Sequence, residues 1–137
     1  MTPDRVEIIQ RKLRMLRQFL TDLESYSTLD PQGRRREHYA VERLLQLLCE
    51  SSADLGLQLL RLEGHPLASS YREVFAVLRD RLDLPEELAS ALMDACAMRN
   101  LLTHLYDSID LDRVIGTIEP ALEVYGRFEC WVRSRVA

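Results

Sequence analysis

Glycine and proline number five each in this chain of 137 residues, and valine, isoleucine and threonine are sparse beside leucine. Such a balance argues against a sheet and for helices. Cysteine is scarce as well. Cys49, Cys96 and Cys130 show no C-x-x-C pairing, which excludes a disulfide scaffold or a zinc ribbon and reads as three reduced core thiols in an intracellular chain. No apolar run reaches the length of a membrane span, and the opening "MTPDRVEIIQ" has no signal-type apolar core. The expectation is a cytoplasmic protein without membrane contact. An excess of positive charge is missing too: the formal net charge is −4, which excludes a histone-like bulk binder of nucleic acid. Lys12 is the one lysine against seventeen arginines, an imbalance that excludes nothing.

What is present is 47% apolar and 29% charged, a length suited to one domain over residues 1–137. Helical periodicity accounts for nearly all of it. A first helix is expected from Pro3 to about Ser25, with Val6, Ile9, Leu13, Leu16, Leu20 and Leu23 as its seam. After "SYSTLDPQG", with Asp30 as a cap, a long second helix should run from the arginines at 34–36 to Gly64. Gly33 suggests that regular helix begins only after it. Along that helix Tyr39, Glu42, Gln46, Glu50 and Asp54 form a polar stripe beside the leucines. Ser70 and Glu73 make an S-x-x-E capping box for a third helix. Pro85 opens a fourth helix. Asp110 caps a fifth, with Leu111, Ile115, Ile118, Leu122 and Tyr125 on one side and a kink expected at Pro120. Five amphipathic segments without strand signals predict an all-α antiparallel bundle of about five helices.

The fourth helix is apolar on two sides. Met98, Leu101, Leu102 and Leu105 form a face suited to the chain's own core; Leu88, Leu92 and Cys96 form a second, which predicts a homodimer closed over it. Its end reads "MRNLLTHLYDSID", where Arg99, Asn100, His104 and Tyr106 interrupt the apolar pattern. Histidine moves protons near neutral pH, and a guanidinium fork matches phosphate oxygens. Asn100, one turn before His104, can orient the ring or a substrate, and Tyr106 offers a hydroxyl and a surface on which a base can stack. His38, His65 and His104 are scattered, so no metal site is expected. Metal-independent cleavage beside a 2′-hydroxyl needs a base and an acid, which a symmetric dimer supplies from two copies of one histidine. Colder readings apply elsewhere: Arg34, Arg35 and Arg36 as a solvated helix start with a lesser claim to RNA or a protein partner, Glu42 and Asp54 as supporting carboxylates that orient Arg99 at most, and His38 and His65 as surface residues.

Arg99-x4-His104-x-Tyr106 resembles the R-x4-6-H-x-Y signature of HEPN ribonucleases. "YAVERLLQLL" from Tyr39, "SYREVFAVL" from Ser70, "LPEELASAL" from Leu84 and "MRNLLTHLY" follow, in order, the pattern of the HepT-like toxins in that superfamily. The resemblance covers about Arg36 to the C-terminus. It implies a HEPN-like helical homodimer with a composite cleft: a ribonuclease toxin of a type II/VII-like toxin–antitoxin pair, needing no cofactor. Its cognate antitoxin would be an MNT-type nucleotidyltransferase that transfers AMP to the signature tyrosine, here Tyr106. Pro120 departs from the uninterrupted helix of relatives, and Met98 stands where many carry an aromatic residue. The alternative function is a noncatalytic nucleotide-binding or interaction subunit that serves mainly as partner and substrate of a nucleotidyltransferase.

Overall fold

The computed structural model describes residues 4–104 and 110–136, the side chains of Thr103 and His104 excepted. Seven helices lie among them: α1 (Arg5–Ser27), α2 (Pro31–Arg36), α3 (His38–Leu62), α4 (Tyr71–Leu82), α5 (Glu86–His104), α6 (Leu111–Ile115) and α7 (Ile118–Val136). The all-α bundle is as expected; the count differs because two long helices are each broken.

α1 starts at Asp4, whose carboxylate accepts the Val6 N–H at 3.2 Å; Pro3 lies outside the described residues. Its seam of Ile9, Leu13, Leu16, Leu20 and Leu23 is buried against α3 and α7. Each such leucine contributes about 1.5–3 kcal/mol by leaving water.

Gly33 does not delay the second helix. Asp30 caps at Gly33 N–H (2.7 Å) and α2 begins at Pro31, then ends at Glu37 before α3 sets off. The break is held by tertiary contacts. Arg34 donates to the carbonyls of Ser27 (2.7 Å), Leu29 (3.2 Å) and Ile115 (3.1 Å) and pairs with Glu119, while Arg35 pairs with Asp112. Arg34 is thus a clamp between α2 and the start of α7 rather than a solvated helix start.

α3 is the central element, packed on α1, α4, α5 and α7. Gly56 lets α4 close on it, since a Cβ there would meet Val74 Cγ1 at 2.5 Å. The helix ends in a Schellman cap at Gly64 (φ 73°), where His65 N–H reaches Leu60 O at 2.8 Å. The α4 cap is as expected at Ser70, whose hydroxyl accepts Glu73 N–H at 3.1 Å, but the Glu73 carboxylate returns to Ser69 rather than Ser70. Those bonds hold the Glu73 carboxyl below its ordinary pKa.

The last expected helix is interrupted at Gly116 and Thr117, not at Pro120. Pro120 falls in the first turn of α7, where its missing N–H has no intrahelical partner to lose, so nothing kinks there. On α7 Cys130 is exposed, contrary to its reading as core, and its neighbour Glu129 takes the inner position. Only 3% exposed, Glu129 is paired with Arg17 of α1 and with Arg133 Nε at 3.0 Å. Two cations offset the cost of burying one carboxylate.

The expected subunit face of α5 is also corrected. Leu88, Leu92 and Cys96 point into the chain's own core, packed toward α3 and α4. The open side of α5 instead carries Ser90, Asp94 and Ala97, flanked by half-buried Ala91, Met98 and Leu101. Of the other stripe Leu102 is buried as expected and Met98 packs on the core, with Leu101 half-buried, so periodicity located both stripes but did not say which would lie deeper.

Candidate active site

Three helices converge on the C-terminal half of α5. Arg99 projects from it toward α3, where Glu50 Oε1 lies 3.1 Å from one terminal guanidinium nitrogen. The other donates to Asn100 Oδ1 at 3.3 Å. Tyr71, first residue of α4, sets its ring beneath the guanidinium, 5.1 Å from Cζ to the ring centroid. Carboxylate, amide and aromatic face together fix one rotamer of a long side chain that remains 22% exposed. Part of the ordering entropy for gripping an anion is therefore already spent. The cation–π contact contributes about 0.5–2 kcal/mol.

Arg99 and Asn100 open onto a cavity of about 450 Å³ between α4 and α5, whose other polar walls are Ser69, Ser70, Tyr71 and Arg72. That volume admits a nucleotide-sized group. Two guanidinium groups border it, and the Tyr71 ring forms one side, so the walls suit a phosphate and an adjoining planar base. No cluster of His, Cys, Asp and Glu able to hold a metal ion occurs among the described residues.

The sequence-predicted site is partly assembled by these contacts. Arg99 and Asn100 come together at the cavity. His104 is the last residue of α5, and its side chain, with all of Tyr106, lies outside the described residues. Glu42 and Asp54 do not approach Arg99: Glu42 pairs with His38, and Asp54 reaches Lys12 on α1. His38 is accordingly half-buried rather than a plain surface residue. The carboxylate that orients Arg99 is Glu50, from the same polar stripe but passed over. The stripe was visible in the sequence; which of its members meets α5 depends on the crossing of two helices. Tyr71 was also missed, because a residue opening a capped helix looks like a local feature of α4.

Directly beneath Arg99, Cys96 Sγ lies 3.0 Å from Cys49 Sγ, and both thiols are free and buried. The two thiols share a hydrogen bond, which with the charges of Arg99 and Arg72 holds the Cys96 pKa below that of an ordinary thiol. Cys49 is pushed strongly upward by the same hydrogen bond and by burial. Burial, then the adjacent sulfurs, raises the Tyr125 phenol as well.

A family model described as ribonuclease HepT-like matches residues 7–128. A tRNA nuclease HepT from Aphanizomenon flos-aquae (strain 2012/KM1/D3) is 28% identical over 121 residues, 86% of this chain and 82% of that protein. Among solved structures, a toxin–antitoxin with AMP-PNP superposes with a TM-score of 0.82 at 19% identity, covering 93% of this chain and 98% of that one. A tri-AMPylated HEPN toxin of Shewanella oneidensis in complex with an MNT antitoxin gives 0.66 at 22%, covering 95% and 94%. At such identities the structures establish a shared helical fold.

Proposed function

Since this chain belongs to the HepT-like ribonuclease family, we propose that it is an RNA-cleaving toxin working without a metal ion. The observation that carries this reading is Arg99, held by Glu50 and Tyr71 at the mouth of a nucleotide-sized cavity, five residues before His104. In the proposed reaction one His104 takes the proton from a ribose 2′-hydroxyl. That oxygen attacks the neighbouring phosphorus, and the bond to the 5′-oxygen breaks. His104 of a second copy protonates the leaving oxygen, which yields a 2′,3′-cyclic phosphate and a 5′-hydroxyl end. Arg99 stabilises the charge gathering on the phosphoryl oxygens, and Asn100 positions either the phosphate or the imidazole.

The scheme requires a homodimer. Its support is the open side of α5, where Ser90 and Ala97 allow close approach and half-buried Met98 and Leu101 leave apolar area uncovered. A cognate MNT-type nucleotidyltransferase would serve as cytoplasmic antitoxin by attaching AMP to Tyr106. That event is drawn from the AMPylated relative in its antitoxin complex. A nucleotide there would bring negative charge toward Arg99 and compete with the RNA phosphate.

A noncatalytic, substrate-like subunit is the second reading, favoured by the net charge of −4. The two separate in one experiment. Partner-free protein is incubated with tRNA in EDTA, and the products are mapped by their ends. Cleavage with 2′,3′-cyclic phosphate ends is expected; intact tRNA, or cleavage only with added metal, rejects the proposed chemistry. Coexpression with the antitoxin and peptide mapping tests the control step, which fails if AMP is found elsewhere and not on Tyr106.

A further inference from the structure

We infer that Cys49 and Cys96 form a redox modification site, in which a small hydroperoxide entering the α4–α5 cavity converts the two thiols into an intrachain disulfide that disturbs Arg99. The effect on Arg99 rests on the reading above; the modification itself does not. Three observations carry the inference. The sulfurs are 3.0 Å apart on two different helices, so about 1 Å of approach completes a bond. Cys96 borders the cavity, giving a small oxidant a route to a residue only 3% exposed at the surface, whereas Cys49 behind it is wholly buried. The pair also occupies a revealing place in the chain: Cys49 precedes Glu50, and Cys96 lies one turn before Arg99. A bond between the sulfurs therefore ties together the two backbones that hold the Arg99–Glu50 pair.

The roles of the two thiols differ. Cys96 borders the cavity beside Arg99 and Arg72, whose charges favour a thiolate there, so it is the sulfur that an incoming oxidant meets first. Cys49, wholly buried behind it, is the thiol that resolves the oxidised one. The Cys96 thiolate attacks a peroxide oxygen: an S–O bond forms, the O–O bond breaks, and the departing oxygen takes a proton to leave as water or an alcohol. Cys49 sulfur then attacks the Cys96 sulfenic acid. The S–S bond forms, the S–O bond breaks, and the hydroxyl leaves as water with the Cys49 proton. Two electrons pass from the cysteines to the peroxide, and a dithiol reductant returns them.

Exposed Cys130 is first replaced (Cys130→Ser) so that only this pair remains, and the folded protein is treated with hydrogen peroxide. Intact mass should fall by about 2 Da, for two hydrogens lost, and peptide mapping should join Cys49 to Cys96 within one chain. In a Cys49→Ala background, dimedone should trap the sulfenic acid on Cys96. Two free thiols after treatment, no dimedone adduct on Cys96, or a link between chains overturns the site. This readout needs neither RNA nor activity, and the Cys130→Ser protein alone decides it if a core variant fails to fold. With tRNA, the oxidised protein should cut about tenfold to a hundredfold more slowly, the cost of a misplacement near 1 Å, and dithiothreitol should restore the rate. A cross-linked protein that cuts at the reduced rate overturns the link to Arg99. If reduced protein does not cut at all, the ribonuclease reading fails while the mass result still decides the disulfide.

Discussion

Arg17–Glu129 and Arg99–Glu50 are both arginine–glutamate pairs between helices, yet they sit in different surroundings. The first joins α1 and α7, with a glutamate only 3% exposed and a second arginine upon its carboxylate. The second joins α5 and α3, with both partners half-exposed beside a cavity and an aromatic ring under the cation. The Glu129 carboxylate is nearly buried and committed to two arginines, one of them on another helix, so that pair holds the bundle together. At Arg99 one carboxylate and one amide orient the fork without sealing it. Exposure of the carboxylate separates these two roles, since Glu50 is far more exposed than Glu129 whereas Arg17 is the more exposed of the two cations.

The largest expected effect tests the open region. His104→Ala should lower tRNA cleavage by about a hundred- to ten-thousand-fold while circular dichroism shows unchanged helicity. Arg99→Lys should also fail, because an ammonium lacks the planar fork. If either variant cuts normally, the two arginine–glutamate regions do not differ as described.

Next comes the closed region. Leu16→Ala, in the fully buried α1 seam, should cost about 2–5 kcal/mol in urea unfolding, with the residual folded fraction still cleaving RNA. A loss below 0.5 kcal/mol (roughly the scatter of surface changes) would mean that α1 does not carry the core.

A smaller effect is expected on the outer side of α5. Ala97→Glu should weaken the proposed dimer about tenfold to a hundredfold in sedimentation equilibrium, with subunit helicity retained, because in that dimer like charges would meet across the twofold axis. Leu92→Glu, on the stripe that faces inward, should instead unfold the chain. Equal behaviour of the two variants would abolish the distinction between the faces.

The smallest effect concerns the α2–α7 clamp. Arg34 holds the Glu119 carboxyl below its ordinary pKa, chiefly by hydrogen bonding. Its stabilisation is therefore complete above the usual carboxylate range and fades as pH falls through the lowered value. With Glu119 more than half exposed, Glu119→Gln should remove less than about 1 kcal/mol near neutrality, and the gap to wild type should close on acidification. A gap that widens in acid would contradict this assignment.

Local chemistry in the sequence was enough for the caps at Asp30, Ser70 and Asp110, the stop at Gly64 and the α1 seam, since each depends on neighbours within a turn or two. It also brought out Arg99, Asn100, His104 and Tyr106 as polar residues crowded into an otherwise apolar stretch. Tertiary structure alone decided which stripe of α5 turned inward. Apolar residues lie on more than one side of this helix and its polar residues are few, so packing against α3 and α4 made that choice. It likewise chose Glu50 over Glu42 and Asp54, placed Tyr71 under Arg99, and brought Cys49 against Cys96. Those partners lie 28 to 49 positions apart in sequence, and only the crossing of packed helices makes them neighbours.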